Sequence, residues 1–199
     1  MSKLVLKTAA VTLAAIIFLC ALIFGAFVLF RPVSLAKLFE GAGNDSAAAY
    51  FYIRSYEKTG DFEELALLCE KIDEHDMSED AAKYLSLFIE NEKFADYCEE
   101  YDAKYSSYYS AKDASYGRLT VAVYLSEGID SAMSVSEQLC EGNYSEYNPF
   151  YWLITDGRLS FSETDVASIK TALRGIECDE SEREFLERDI ALAEELSAK

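Results

Sequence analysis

The chain of 199 residues is poor in the residue types on which most catalytic and metal sites depend. It has a single histidine, His75, and five cysteines without a Cys-x-x-Cys pair, which excludes a multi-histidine zinc centre and a paired-cysteine motif. No Gly-rich phosphate-binding loop and no Gly-x-Ser-x-Gly nucleophile motif occurs. His75 lies between two acidic residues at an expected helix end, where a solvated side chain is the usual outcome. The sequence therefore predicts a protein that is not an enzyme and that uses no cofactor or metal.

Basic residues are also scarce. The chain has 18 Lys and Arg against 36 Asp and Glu, a formal net charge of -18 at pH 7. Nucleic-acid binding needs clustered basic side chains to contact phosphates, so no nucleic-acid partner is expected. A hydrophobic content of 51% and an aromatic content of 14% argue against a disordered acidic tail. A folded acidic protein is predicted.

One segment lacks charge altogether. From Thr8 to Phe30 the chain reads TAAVTLAAIIFLCALIFGAFVLF. As a helix this segment would span about 34 Å, slightly more than the ~30 Å hydrocarbon core of a bilayer. Basic residues flank it on both sides, Lys3 and Lys7 before it and Arg31 after it. We expect a short tail over residues 1–7 and an uncleaved transmembrane signal anchor over residues 8–31, in contact with the bilayer through residues 8–30.

Three other interpretations compete with this anchor. A cleaved signal peptide would use Ser34-Leu35-Ala36 as its cleavage site, but its apolar region would need only ~7 to 15 residues. A lipid anchor at Cys20 would need a small residue before it, where Leu19 stands. A buried core helix of a soluble protein is disfavoured because the segment is apolar on every side and terminal.

The sidedness of the anchor is only weakly encoded. Lys3, Lys7 and the amino terminus precede the segment, whereas Arg31 and Lys37 follow it, a slight bias toward an N-inside orientation. This bias places the rest of the chain outside the cytoplasm. The dispersed cysteines of that part, at positions 69, 98, 140 and 178, are more typical of a reducing compartment. A cytoplasmic orientation therefore stays open.

The remainder of the chain shows a helical pattern with few breaks. After a linker over residues 32–45, apolar positions recur at spacings of three and four and turn residues interrupt them. Gly60 and Gly128 stand where helices should end. The sequence predicts an all-α fold over residues 46–199, with helices at about 46–59, 61–75, 78–91, 93–110, 113–127, 129–141, 149–157, 162–175 and 180–197.

The helical pattern repeats along the chain. An apolar stripe on the second of these helices recurs after 32 residues, and again after a further 35 and 30, with most positions keeping their character. The first stripe consists of Phe62, Leu65, Cys69 and Ile72, and the second begins at Phe94. A helix pair that recurs every ~32 to 35 residues is typical of a stacked solenoid, in which no single pair buries its apolar face alone.

The first pair, residues 47–73, resembles a tetratricopeptide repeat. Tyr56, Gly60-Asp61-Phe62, Leu65 and Cys69 match the large, Gly-Asp-aromatic, small and large positions of that family in order. Later pairs depart from the pattern, since Glu92-Lys93-Phe94 and Glu127-Gly128-Ile129 replace Gly-Asp-aromatic. The resemblance extends over about residues 46–175. It implies an α-solenoid of about four helix pairs with the last helix as a C-terminal cap, and an irregular helical bundle is the alternative.

The resemblance also implies a binding face, formed by the first helix of each pair. The concave positions of the family transfer to nine candidate partner-binding residues: Tyr50, Arg54, Glu57, Ser86, Ile89, Val121, Tyr124, Tyr151 and Ile154. Tyrosine offers apolar area and a hydroxyl group at low entropy cost, although packing inside the solenoid is the competing role for each ring. The Lys and Asn residues with which chaperone-type members clamp a terminal carboxylate are missing.

Two functions are consistent with these features. The first is a membrane-anchored scaffold whose repeat domain mediates protein-protein interaction or complex assembly at the membrane. The alternative is a structural or accessory subunit of a membrane complex, in which the transmembrane helix itself is part of the assembly. The sequence identifies neither the protein partner nor the oligomeric state.

Overall fold

The computed structural model describes residues 3–141 and 144–196, and these residues form eleven helices and no strand. The all-α prediction is confirmed. The chain divides into an N-terminal unit, Met1–Lys71, and a C-terminal unit, Ile72–Lys199. The N-terminal unit contains α1 (Lys3–Phe30), α2 (Pro32–Gly41), α3 (Asp45–Thr59) and α4 (Phe62–Lys71). The C-terminal unit contains α5 (Ser78–Ile89), α6 (Phe94–Lys104), α7 (Ala111–Glu127), α8 (Ile129–Cys140), α9 (Pro149–Thr155), α10 (Glu163–Gly175) and α11 (Arg183–Leu196).

Helix α1 contains the apolar segment. Its stretch Lys7–Leu29 is long and apolar enough to cross a membrane, and none of it is buried against the rest of the protein. The helix already begins at Lys3, within the tail predicted over residues 1–7. Residues 1 and 2 of that tail lie outside the described residues.

Helix α2 occupies most of the stretch predicted as a linker. Pro32 stands in its first turn, where the missing N–H costs nothing and the fixed φ favours a helix. Leu35 and Ala36 are buried, and the ring of Phe39 stacks on Phe51 of α3 with centroids 5.5 Å apart. Only residues 42–44 separate α2 from α3. The segment is therefore a short packed helix. With only ten residues, its buried face is too short for the sequence pattern to reveal it.

A polar contact joins the next three helices of the N-terminal unit. Glu40 of α2 accepts hydrogen bonds from the hydroxyl of Tyr52 on α3, at 3.0 Å, and from Lys71 on α4, at 3.1 Å. Hydrogen bonds from Lys71 and Tyr52 lower the pKa of the Glu40 carboxyl. Burial, together with Glu40, raises the pKa of Tyr52, which therefore keeps its proton and acts as the donor.

The predicted glycine stops end two of the helices. Gly60 adopts a left-handed conformation with φ 66°, and its N–H donates to the carbonyl of Tyr56 at 2.7 Å. Gly128, with φ 93°, separates α7 from α8. In contrast, α6 ends at Lys104 rather than near residue 110, because the backbone becomes extended at Tyr105, with φ -117° and ψ 119°. Ser110 then caps α7 by accepting a hydrogen bond from the N–H of Asp113.

The C-terminal unit is built in layers. Helix α7 packs against α5, α8 and α9, whereas α8 also packs against α10. Helix α11 closes the unit by packing against α10 and α9. Buried side chains fill the space between the layers, among them Tyr84, Leu85, Phe150, Leu153, Ile169 and Leu173. The first helices of three successive predicted pairs therefore lie side by side.

Candidate functional site

The N-terminal unit presents its three predicted partner-binding residues on one face of α3. Tyr50, Arg54 and Glu57 are exposed, while Phe51, Tyr52 and Ile53 on the opposite face are buried. Arg54 donates a hydrogen bond to the hydroxyl of Tyr50 at 3.2 Å, and its guanidinium carbon lies 5.8 Å from the centre of that ring. The face thus offers an aromatic ring with a cation beside it.

The six predicted residues of the C-terminal unit differ in exposure. Ser86 and Ile89 on α5, Tyr124 on α7 and Tyr151 on α9 are half-buried. Val121 and Ile154 are 2% and 7% exposed, so their side chains pack inside the unit and offer a partner almost no surface.

A groove runs along the surface where α5, α7 and α8 meet. It has a volume of about 430 Å³ and is lined by Glu79, Ala82, Lys83, Ser86, Val123, Ser126, Glu127 and Val135. Ala82 and Val123 are 8% and 5% exposed and form its apolar base. Exposed Glu79, Lys83 and Glu127 provide charge. The groove contains one of the nine predicted residues, Ser86.

Tyr124 lies on α7, one of the groove helices, but its side chain contacts residues outside the groove. Its hydroxyl donates to the carbonyl of Ser160 at 3.1 Å and lies 3.4 Å from a carboxylate oxygen of Asp165. Its ring contacts Phe161, with centroids 5.3 Å apart. Burial, followed by the charge of Asp165, raises the pKa of the Tyr124 hydroxyl. The residue therefore fastens α7 to the segment between α9 and α10.

Tyr151 is also engaged within the unit, as part of a polar network that the sequence did not reveal. The guanidinium of Arg188 lies 4.3 Å from the centre of the Tyr151 ring and donates to Asp189 at 2.8 Å. Asp189 is fully buried and also accepts from the hydroxyl of Tyr144 and the amide of Asn148, both at 2.8 Å. The side-chain oxygen of Asn148 in turn caps α9. The network thereby connects α9 to α11.

The histidine occupies the turn where the sequence placed it, but its ring is not simply solvated. The Nε2 atom of His75 lies 3.0 Å from Asp156, and Arg158 binds the same carboxylate at 3.1 Å. One position earlier in the turn, Glu74 accepts a hydrogen bond from Arg118 of α7 at 2.8 Å. These contacts attach the turn before α5 to α7 and to the end of α9.

The electrostatics of Asp156 follow from this arrangement. Burial alone would raise the pKa of its carboxyl, but the hydrogen bonds from Arg158 and His75 outweigh burial and lower the pKa to about 2. The carboxylate is therefore ionised at any physiological pH.

Two buried thiols are unreactive near neutral pH. Burial raises the pKa of Cys98 to about 11 and that of Cys140 to about 12, so both are protonated near neutral pH and are poor nucleophiles. Within the described part of the chain, no group of three or more His, Cys, Asp or Glu side chains is arranged to hold a metal ion.

No protein-family model matches the chain, and no curated protein and no solved structure shows significant similarity to it.

Proposed function

We propose that this protein is a membrane-anchored scaffold. In this proposal α1 is a single-pass anchor, and the helix pairs form a tetratricopeptide-like array that binds a protein segment without catalysis. The observation that carries the proposal is the groove where α5, α7 and α8 meet, in which α5 and α7 are the first helices of two successive predicted pairs. In arrays of this kind first helices lying side by side create the surface on which a partner binds.

The chemistry of the groove suggests the kind of partner. Ala82, Val123 and Val135 suit small apolar side chains, while the carboxylates of Glu79 and Glu127 suit basic ones. The net charge of -18 would also attract a basic segment over distance at low salt. We therefore propose an extended segment with alternating apolar and basic side chains as the occupant.

Photo-cross-linking in cells tests the groove directly. A benzophenone amino acid would replace Ser86 inside the groove in one version of the full chain, and exposed Ser107 outside it in a matched control. We expect a discrete protein adduct from position 86 and none from position 107. The reversal Glu127→Lys should weaken the adduct, whereas Glu100→Lys on α6 should not. Equal adducts from both positions, or none, would refute the groove as the binding surface.

A second test addresses the face of α3. Arg54→Glu reverses an exposed charge and should leave helical content and the melting temperature nearly unchanged, because the hydrogen bond from Arg54 to the Tyr50 hydroxyl lies on the exposed face of α3. Loss of partner capture would assign this face to binding, and full capture would remove it from the site.

The alternative, an accessory subunit whose membrane helix belongs to the assembly, makes a different prediction. Gly25 has open space around its α-carbon, so another helix could approach closely there. Exchange of residues 8–30 for an unrelated apolar helix separates the two functions. A scaffold keeps its partner after the exchange, whereas a subunit assembled through α1 loses it.

We propose an N-inside orientation, with the helical domain outside the cytoplasm. Protease treatment of intact cells that carry a C-terminal epitope tag tests it, with lysed cells as control. Loss of the tag from intact cells supports the orientation. Protection of the tag until lysis reverses it and directs the search for partners to the cytoplasm.

A further inference from the structure

Helix α2 has two faces of opposite character. Pro32, Leu35 and Ala36 are buried, and Phe39 stacks on α3. The other face carries Ser34, Lys37 and Leu38, all exposed, at the spacings of three and four that align side chains along a helix. Exposed Arg31 stands directly before the helix, at its N-cap, and we call the three residues together with Arg31 the outer face of α2. Leu38 is 65% exposed, the largest value for an apolar side chain of α2. The outer face of α2 therefore combines one solvent-exposed leucine with two basic side chains.

This face begins where the apolar stretch of α1 ends. The stretch ends at Leu29, and only Arg31 lies between α1 and α2. Arg31 leaves the helical conformation, with φ -141° and ψ 57°, so α2 does not continue along the axis of α1. A head-group layer is roughly 5 to 7 Å thick on each side of the hydrocarbon core. A helix that turns aside at this point stays within reach of that layer.

The charge of this face differs from that of the chain. Arg31 and Lys37 are the basic residues of the outer face, and the one carboxylate of α2, Glu40, is held by Lys71 and Tyr52. A chain with a net charge of -18 thus places its basic, leucine-bearing helix face next to the apolar segment. Anionic head groups attract basic side chains near their surface.

We propose that the outer face of α2 is a second membrane contact, in which Leu38 enters the head-group region and Arg31 and Lys37 bind anionic lipid. The inference rests on the proposed anchor, since α1 brings α2 to the bilayer. The contact orients the N-terminal unit on the membrane surface, which a single spanning helix alone would leave free to rotate.

Tryptophan quenching by brominated lipids tests this contact in the full chain. The native tryptophan, Trp152, is replaced by Phe, and a new tryptophan is introduced by Leu38→Trp, by Leu87→Trp on α5 or by Phe18→Trp within α1. Each protein is reconstituted in vesicles that contain anionic phosphatidylglycerol and lipids brominated at shallow or deep acyl positions. If Trp152→Phe does not fold, the same three substitutions are made with Trp152 present and its own emission is subtracted.

We expect Leu38→Trp to be quenched by shallow bromines several-fold more than Leu87→Trp, a position of the C-terminal unit that is also exposed, at 39%. Phe18→Trp should be quenched by deep bromines. Quenching at position 18 but not at position 38 overturns the inference and leaves the anchor intact. An absence of quenching at position 18 overturns the anchor itself.

A charge variant tests the role of the basic side chains. Lys37→Glu in the Leu38→Trp protein should reduce the quenching in anionic vesicles, whereas Lys58→Glu, an exposed lysine at the end of α3, should leave it unchanged. Equal effects of the two variants would show that Lys37 binds no lipid and would overturn this part of the inference.

Discussion

At the scale of the residue, Gly117 is the glycine, among those of the described residues, at which an added side chain has the least room. A β-carbon added there would lie 2.1 Å from the Cγ atom of Trp152, inside the rigid part of the indole. Gly117→Ala should therefore destabilise the protein by about 1 to 3 kcal/mol, because overpacking outweighs the better helix propensity of alanine. Urea unfolding in detergent, followed by circular dichroism, measures the change.

Gly175 provides the matched control for this substitution. It also lies in a helix, but an added β-carbon would meet nothing within 4 Å. Gly175→Ala should leave stability unchanged or raise it slightly. If both substitutions have the same effect, the close approach of Trp152 to α7 carries no energetic weight.

Asp156 should give the protein a defined response to acid. Its pKa is about 2 in the folded protein, below the ordinary value near ~3.9 of an unfolded chain. A lowered pKa stabilises the fold above the unfolded value by about 2 kcal/mol, and this contribution is lost as the pH falls toward 2. Asp156→Asn should therefore be less stable than the parent at pH 7, and the gap should close between pH 5 and 2.

Thermal unfolding at several pH values measures this gap. The control is Asp76→Asn, at an exposed aspartate of the same turn that includes His75. A gap for Asp156→Asn that stays constant down to pH 2 would contradict the assignment of the acid response to this carboxylate.

At the scale of the element, the attachment of α11 to α9 depends on Asp189. Asp189→Ala would remove the acceptor of the Tyr144 hydroxyl. It would also remove one acceptor each from the Asn148 amide and the Arg188 guanidinium, which keep the carbonyls of Ser145 and Glu146. The loss of an acceptor for a buried polar group costs about 1 to 3 kcal/mol. Hydrogen exchange should rise first in α9 and α11, before it rises in α5 and α7.

Glu187→Ala is the control for Asp189→Ala, because it removes an exposed carboxylate from the same helix. It should leave the exchange pattern nearly unchanged. A uniform rise across all helices of the C-terminal unit after Asp189→Ala would contradict a local role for the network.

The elements also show what the sequence can and cannot predict. Local signals were sufficient for the helix stops at Gly60 and Gly128, because a left-handed conformation or a sharp break is a property of the residue and its neighbours. The identity of α2 depended on α3, whose Phe51 covers Phe39. A buried face of so few residues has no periodicity that distinguishes it from a connector.

The candidate site likewise has features that the sequence predicts and features that it does not. The repeat pattern assigned α5, α7 and α9 as the first helices of successive pairs, and α7 packs against both α5 and α9. One residue of the predicted binding face, Ser86, lines the groove. The pattern did not predict that Val121 and Ile154 are buried or that Arg188 covers Tyr151, because these outcomes depend on residues far away in the chain. The partner of Asp189 is equally remote, since Tyr144 lies 45 positions before it.

At the scale of the whole molecule, the negative charge should limit stability at low salt. A net charge of -18 makes the folded chain repel itself, and salt shortens the range of this repulsion from about 30 Å at 0.01 M to about 8 Å at 0.15 M. The melting temperature should therefore rise with added sodium chloride. The double variant Glu99→Lys and Glu100→Lys, at exposed positions of α6, should respond less. A melting temperature that falls with salt would show that attractive ion pairs dominate instead.

The folding of α2 also determines how far the N-terminal unit can move from the proposed anchor. If the fourteen residues predicted as a linker were flexible, the domain that follows them could lie roughly 20 Å from its point of attachment. Residues 32–41 are folded against α3, so only Arg31 separates α1 from the packed helices of the N-terminal unit, and the range of distances is much smaller. In the proposed arrangement, the Tyr50 face of α3 would lie within a narrow range of heights above the bilayer, and a partner would need to present its binding segment at that height.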